Sequence, residues 1–454
     1  MVLTIVSFLL LLGALMFFHE LGHYLAARRN GIEVEEFGIF GFPPRIVKLF
    51  TYDGTVFSIN AIPLGAFVRM KGEDAADMSP GSFNAASAGA RAVTLVAGPA
   101  MNFLIAIIFS VASVLAGFPA SVAHPLLEDI PATSAAAAVG LQNGDILLSQ
   151  GGKPVLLAAV SGELMGATSS QLLADGTLAP AEGLYILRGG ERMTLAASGQ
   201  SPEDLLAGVE FAPVLSTQIT AVVEESPAAQ AQLSPGDIVY SVNGTPVTPG
   251  NSLSQQVNAL AGSEVTLTVV RDDGWLDIPV FARENPPVGQ GSMGIAIDGV
   301  QRMVALPFHI AVWEGVRNIV GYVGMVVSLP VMLIAGQLAP SDAGFSGPVG
   351  IAQLVGGAVS ATVDTGFWFP IWQLAAIISA GLAVANLFPI PALDGGRLLF
   401  ILFEKLRGRR LDPEKEGMIH LVGFALLLGL MVVITVSDIR SGPQSIDWLR
   451  MLGQ

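Results

Sequence analysis

The chain has 454 residues, 52% of them hydrophobic and 13% charged, with a net charge of -15 and a mean hydropathy of +0.62. That balance is too apolar for an ordinary soluble protein and points to a membrane protein carrying a soluble portion. The acidic charge argues against a nucleic-acid partner, and the absence of cysteine excludes disulfides and thiolate metal sites.

Val2 to about Ala27 is predicted to be a retained transmembrane helix. Val2–Phe18 has no charged side chain, and no Lys or Arg precedes Arg28, so the basic region of a cleavable signal is missing. Near the end of this helix stands FFHELGHYLA, Phe17–Ala26. His19 and His23 are four apart, so both imidazoles share one helix face and can reach one ion. Glu20 beside them is placed to take a proton from water. Zinc brings the pKa of its water down toward ~7 and so makes this chemistry accessible at neutral pH. Three ionisable side chains within a span are costly and usually mark function.

Further along, Ala92–Phe118, Phe367–Ile390 and Met418–Val436 are apolar enough to span, and Gly315–Gly336 is borderline. Arg28–Arg91 and Arg397–Lys415 are rich in Lys and Arg, whereas Pro119–Asp298 is mostly acidic. Basic loops stay in the cytoplasm. The first helix is therefore expected to run inward, the second to return, the middle region to lie outside, and the third span to come back in. A crossing by Gly315–Gly336 would reverse the side of the second basic stretch, so this segment is expected to lie along or partly in the outer membrane surface.

The outer region repeats itself. PATSAAAAVGLQNGDILLSQGGKPV from Pro131 and SPAAQAQLSPGDIVYSVNGTPV from Ser226 both place Gly-Asp-Ile before a Gly-x-Pro-Val turn at the same spacing. Strand-like runs follow, such as VTLTVVR at Val265. Both copies resemble the PDZ domain, the second more clearly, and a PDZ fold binds extended peptides by adding a strand to a sheet edge. Two β-domains serving only as spacers are the plainer alternative.

A catalytic zinc site needs a third protein ligand and one open position. His124, His309 and His420 are read as structural. The favoured ligand is Asp394 in NLFPIPALDGG, Asn386–Gly396, which topology puts on the same cytoplasmic side as His19 and His23; an Asp at a helix end or turn is the alternative. Pro389 and Pro391 break the helix and expose polar backbone, which at membrane depth is tolerated where it lines a cavity. Asn386, just before the break, could hydrogen-bond a peptide or an oxyanion, or serve only helix packing.

HELGH in the first span, NLFPIPALDGG in the third and PDZ-like repeats between them resemble the site-2 protease family of intramembrane zinc metalloproteases, in particular its bacterial regulator-of-sigma-E branch. AGPAMNF (Ala97–Phe103) and SGPVGIA (Ser346–Ala352) fit as well. The resemblance implies one zinc ion on His19, His23 and Asp394, Glu20 as catalytic base, and Asn386 helping to hold substrate. It also implies a membrane-re-entrant β-hairpin. TVFSINAIPLGAFVRMKG from Thr55, with Gly65 at its bend, matches in position, and its edge would pair with unwound substrate. The implied substrate is a single-span membrane protein, such as an anti-sigma factor, already cut outside by another protease. The tandem PDZ domains would exclude uncut substrates, and leftover signal peptides are a second substrate class. The implied location is the bacterial inner membrane, with the N-terminus and PDZ-like domains extracytoplasmic and the active site near the cytoplasmic side.

The expected architecture is a polytopic α-helical membrane protein with four transmembrane helices, a membrane-associated β-hairpin and two extracytoplasmic PDZ-like α+β domains. Its parts are 1–116 (two spans and hairpin), 117–215 and 216–285 (PDZ-like), 286–366 (membrane-surface helical region) and 367–454 (last two spans). Two rivals are a membrane PDZ scaffold or chaperone with a non-catalytic metal site, and a membrane-anchored soluble-type metalloprotease cutting outside. The intact Glu20 and the open three-ligand set oppose the first. The topology opposes the second.

Overall fold

The computed structural model describes residues 2–62, 65–73, 77–151, 153–160, 163–167, 183–196, 199, 201–215, 217–271, 274–287, 289–338, 346–408, 413–441, 446 and 448. Within the repeat and hairpin expectations, Gly152, Pro63 and Leu64 lie outside these residues. The chain forms two compact units, one of residues 1–116 with 307–448, the other built on residues 117–306.

Among the described residues the first unit contains seven helices: α1 (Val2–Arg29), α2 (Ala88–Ala116), α3 (Phe308–Ile334), α4 (Pro348–Thr365), α5 (Phe369–Leu387), α6 (Asp394–Arg407) and α7 (Pro413–Ser441). Among the described residues five helices are long and apolar enough to cross a membrane: Leu3–Arg29, Ala88–Ala116, Phe308–Ile334, Phe369–Leu387 and Glu416–Arg440. Four match the expected spans. The fifth, α3, covers the borderline stretch, and its 27 residues exceed the ~20 that a crossing needs.

Small residues let these helices approach closely, the usual packing device where lipid removes the hydrophobic drive. A Cβ on Gly22 of α1 would strike the Ala97 carbonyl of α2, and one on Gly315 of α3 would strike Val111. Polar contacts add to this. Ser379 of α5 donates to the Asn102 carbonyl at 2.8 Å. Arg91 of α2 donates from Nη2 to both carboxylate oxygens of Glu404 of α6, at 2.8 and 2.7 Å. Asp438 of α7 accepts the Gly350 N–H at 2.8 Å. It thereby satisfies an orphan donor in the first turn of α4, whose own cap, Gly347, has no side chain to do so.

Between α1 and α2 lie β1 (Val34–Phe40), β2 (Phe42–Tyr52), β3 (Thr55–Ile62) and β4 (Phe67–Met70), in the order β2-β3-β1-β4. The expected hairpin around Gly65 is corrected here. The strands on either side of Gly65, β3 and β4, do not pair with each other. β1 lies between them, parallel to β3 and antiparallel to β4. Only in that central position can β1 bury Phe37 and also Glu36. Ser58 of β3 donates to the Glu36 carboxylate at 2.8 Å and Arg69 of β4 at 3.0 Å. The hairpin proper joins β2 and β3 through Asp53-Gly54, both at positive φ, as a two-residue turn requires. β4 is a sheet edge.

The second unit contains both repeats. The first uses strands 118–129, 146–150, 184–188, 191–195 and 210–215; the second uses 217–222, 238–242, 264–271, 274–281 and 295–299. The Gly-Asp of each copy does the same thing. Asp145 and Asp237 are fully buried, and each receives two 2.7 Å hydrogen bonds from one arginine, Arg188 and Arg271 respectively. Each also accepts the backbone N–H three residues earlier, from Gln142 or Ser234. The repeated motif is thus a buried clasp closing the helix-to-strand turn. A shared core of Ile146, Leu148, Leu187, Val214, Tyr240 and Val270 joins the copies. The unit extends past the expected boundary at 285. Ile295–Gly299 completes the second sheet, and Gln301–Val304 pairs with the start of strand 118–129.

Candidate metal centre

The first unit encloses a cleft of about 500 Å³ between α1, β4, α2, α5 and the 388–393 loop. His19, Glu20, His23, Asn386 and Asp394 all line it. The three predicted ligands converge. The two histidine Nε2 atoms are 3.1 Å apart, and they stand 3.2 and 3.3 Å from Asp394 Oδ2. No other group of three such side chains this close occurs among the described residues. Donors bound at ~2.0–2.1 Å to one tetrahedral ion stand about 3.3 Å from each other, so the triad fits zinc in spacing and in chemistry, with a fourth position left over.

Each imidazole is aimed by its second nitrogen. His23 Nδ1 lies 2.8 Å from the Thr94 carbonyl, which fixes Nδ1 as the protonated nitrogen and leaves the Nε2 lone pair for a metal. His19 Nδ1 lies 3.2 Å from the Asn102 amide nitrogen, while Asn102 Oδ1 is buried without a partner. With Nε2 on a metal, His19 Nδ1 carries its proton, and the amide must turn so that Oδ1 accepts it. Both partners come from α2. A Cβ on Gly98 would fall on the His23 ring, so the glycine of AGPAMNF makes room for a ligand.

Asp394 opens α6, after a loop that cannot be helix because Pro389 and Pro391 lack N–H groups. Gly395 and Gly396 allow α6 to lie against the carbonyls of Leu387, Phe388 and Ile390, where any Cβ would clash. Glu20 accepts the Val68 N–H of β4 at 3.0 Å, so the carboxylate beside the ligands is held by the sheet edge. Arg397 and Glu73 form an ion pair that also lines the cleft. Gly65 lies behind the cleft wall at φ 73°, with Met16 and Phe42 where its side chain would be.

Sequence reading missed Thr94, Asn102, Glu73 and Arg397. AGPAMNF was singled out only as a matching stretch, and Asn102 stands within it. An amide in an apolar span was the available signal. A backbone carbonyl such as that of Thr94 leaves no signal.

Relatives over nearly the full length are named as proteases, some of them as zinc metalloproteases. The chain is 29% identical to "Zinc metalloprotease RasP" of Geobacillus kaustophilus, over 96% of this chain and 98% of that protein. It is 29% identical to "Regulator of sigma-E protease RseP" of Escherichia coli, over 95% and 97%. It is 28% identical to "Regulator of sigma-W protease RasP" of Bacillus subtilis, over 96% and 98%. Peptidase family M50 matches residues 7–430, which takes in both metal motifs and everything between them. The chain therefore belongs to peptidase family M50, the site-2 proteases.

Proposed function

We propose that the protein hydrolyses a peptide bond inside the transmembrane segment of a single-span membrane protein, using one zinc ion held by His19, His23 and Asp394. The observation that carries this reading is the convergence of those donors with Glu20 on one cleft, in a unit of membrane-length helices. Zinc there would polarise the scissile carbonyl and make water nucleophilic near neutral pH. Glu20 takes the proton from the attacking water and passes it to the leaving amine. Its tie to Val68 keeps the carboxylate aimed at the cleft.

Helical backbone shields its own carbonyls, so substrate must unwind before attack. The position of β4 supports pairing with the extended segment: Phe67, Val68 and Met70 line the cleft, no strand covers that edge among the described residues, and its Val68 and Met70 N–H groups are held by the Glu20 and Glu73 carboxylates, which substrate backbone would have to displace. Asn386, which lines the cleft, would bond the substrate backbone, and Gly65, at positive φ just before β4, would help that strand to receive it. Two relatives are named as proteases regulating sigma-E and sigma-W, which supports an anti-sigma factor as the substrate class, with remnant signal peptides as a second class. The duplicated outer unit is read as a pair of PDZ-like domains that hold back substrates not yet trimmed outside. The orientation proposed puts that unit and the N-terminus outside the inner membrane and the metal site near its cytoplasmic side.

The test compares one single-span substrate before and after removal of its outer domain, with purified protein of verified zinc content. Cleavage only after trimming supports the reading. Zinc binding without cleavage of either form, across several substrates, would favour a scaffold with a non-catalytic metal site.

A further inference from the structure

We propose that His420, on α7, is a positioning residue for the metal site, acting through the turn that delivers Asp394. Ile390, Pro391, Ala392 and Leu393 form that turn. Leu393 N–H bonds the Ile390 carbonyl at 3.2 Å, Pro391 takes the second position, and Ala392 takes the third at φ 80°. This is the type II pattern, whose third position calls for glycine or asparagine. An alanine there is strained and needs outside support.

His420 supplies it. Ala392 N–H donates to His420 Nδ1 at 2.9 Å. The acceptor must be an unprotonated ring nitrogen, so the ring's hydrogen is on Nε2, which faces Glu416 at 3.9 Å. The ring is oriented by an edge contact with Phe400 of α6, centroids 5.3 Å apart. One turn further along the same face of α7, Gly423 lets Pro391 pack directly on the helix, where a Cβ would strike it. The helix thus grips two consecutive residues of a turn that ends one residue before a metal ligand. Ala392 is itself exposed and lines the cleft beside Asp394.

This inference rests on the metal reading above, so the experiment reads metal binding separately from proteolysis. Full-length wild type, His420→Leu, His420→Asn and the double variant His420→Leu/Ala392→Gly are titrated with zinc and, in parallel, with Co²⁺ for its visible spectrum. His420→Leu is expected to weaken zinc by about 10–100-fold, as loss of a supporting group around a ligand does, and to alter the Co²⁺ spectrum. Asparagine offers an oxygen near the place of Nδ1 and is expected to restore most of the affinity. Glycine at 392 removes the need for support and is expected to restore part of it. If His420→Leu binds zinc with the wild-type affinity and spectrum, the inference is wrong. It is also wrong if neither asparagine nor the glycine rescues, since His420 would then act by bulk alone. A wild type that binds neither ion would instead overturn the metal reading itself.

Discussion

Gly98 of α2 faces the imidazole of His23, and the ring occupies the space that any side chain at 98 would need. Gly98→Ala is therefore expected to push His23 off the triad and weaken zinc by about 10–100-fold while the helices stay packed. Gly89→Ala, on the same helix with open space around it, should leave affinity unchanged. Competition with a chelator of known affinity measures both.

Asn102 is expected to act as an acceptor toward His19. Asn102→Asp keeps an oxygen for the Nδ1 proton and should retain or tighten zinc binding. Asn102→Leu cannot accept and should weaken it by at least about tenfold. Equal loss in both variants, read by the same zinc competition, would mean that the amide nitrogen is the working group.

The repeated Asp–Arg clasp makes a stability prediction for the second unit. Arg271→Leu leaves the buried Asp237 carboxylate without its partner and should cost about 3–5 kcal/mol. Arg188→Leu should do the same to the first copy through Asp145. Thermal unfolding of the full-length protein in detergent should show one lowered transition in each case, with zinc content unchanged.

The two copies also share a buried histidine. Burial pushes His124 down to about 4, against a smaller opposing pull from the Val155 carbonyl, and its Nε2 meets the Tyr240 hydroxyl at 3.3 Å. Above pH ~6.5 His124 is neutral whether folded or unfolded and contributes no pH dependence. Between ~6.5 and 4 only the unfolded chain takes the proton. Stability therefore falls as pH drops through that window, by about 3 kcal/mol in all, and levels off below it. Melting temperatures of wild type and His124→Asn between pH 8 and 4 should converge toward the acid end, because only the wild type carries this loss.

Sequence was most informative where a residue was out of place in its surroundings. The ionisable residues His19, Glu20, His23 and Asp394 stand in or beside apolar spans, and helix geometry plus the distribution of basic loops brought them together without any contact information. The duplication in the second unit was visible because the clasp aspartate sits at a fixed distance from its turn. Sheet order was not visible. β1 carries Glu35-Glu36 and looks like a surface loop, and its place between β3 and β4 depends on Ser58 and Arg69, distant in sequence, closing around Glu36. Ile295–Val304 was assigned to a membrane-surface region because strands this short take their identity from partners some 75 and 180 residues earlier in the chain. His420 reads as merely structural in the sequence for the same reason: its partner is the backbone of Ala392, and backbone has no signature in sequence.

The central claim is that Glu20 performs proton transfer at a zinc site that cuts within a membrane span. The most direct measurement is mass spectrometry of the fragments from a trimmed single-span substrate, incubated in parallel with wild type and with Glu20→Gln, each assayed for bound zinc. The account predicts one zinc per chain in both proteins, a wild-type cut inside the apolar segment, and at least a 10²-fold slower cut by the variant. A cut outside the segment, or a Glu20→Gln protein that keeps its zinc and cuts at the wild-type rate, would contradict it.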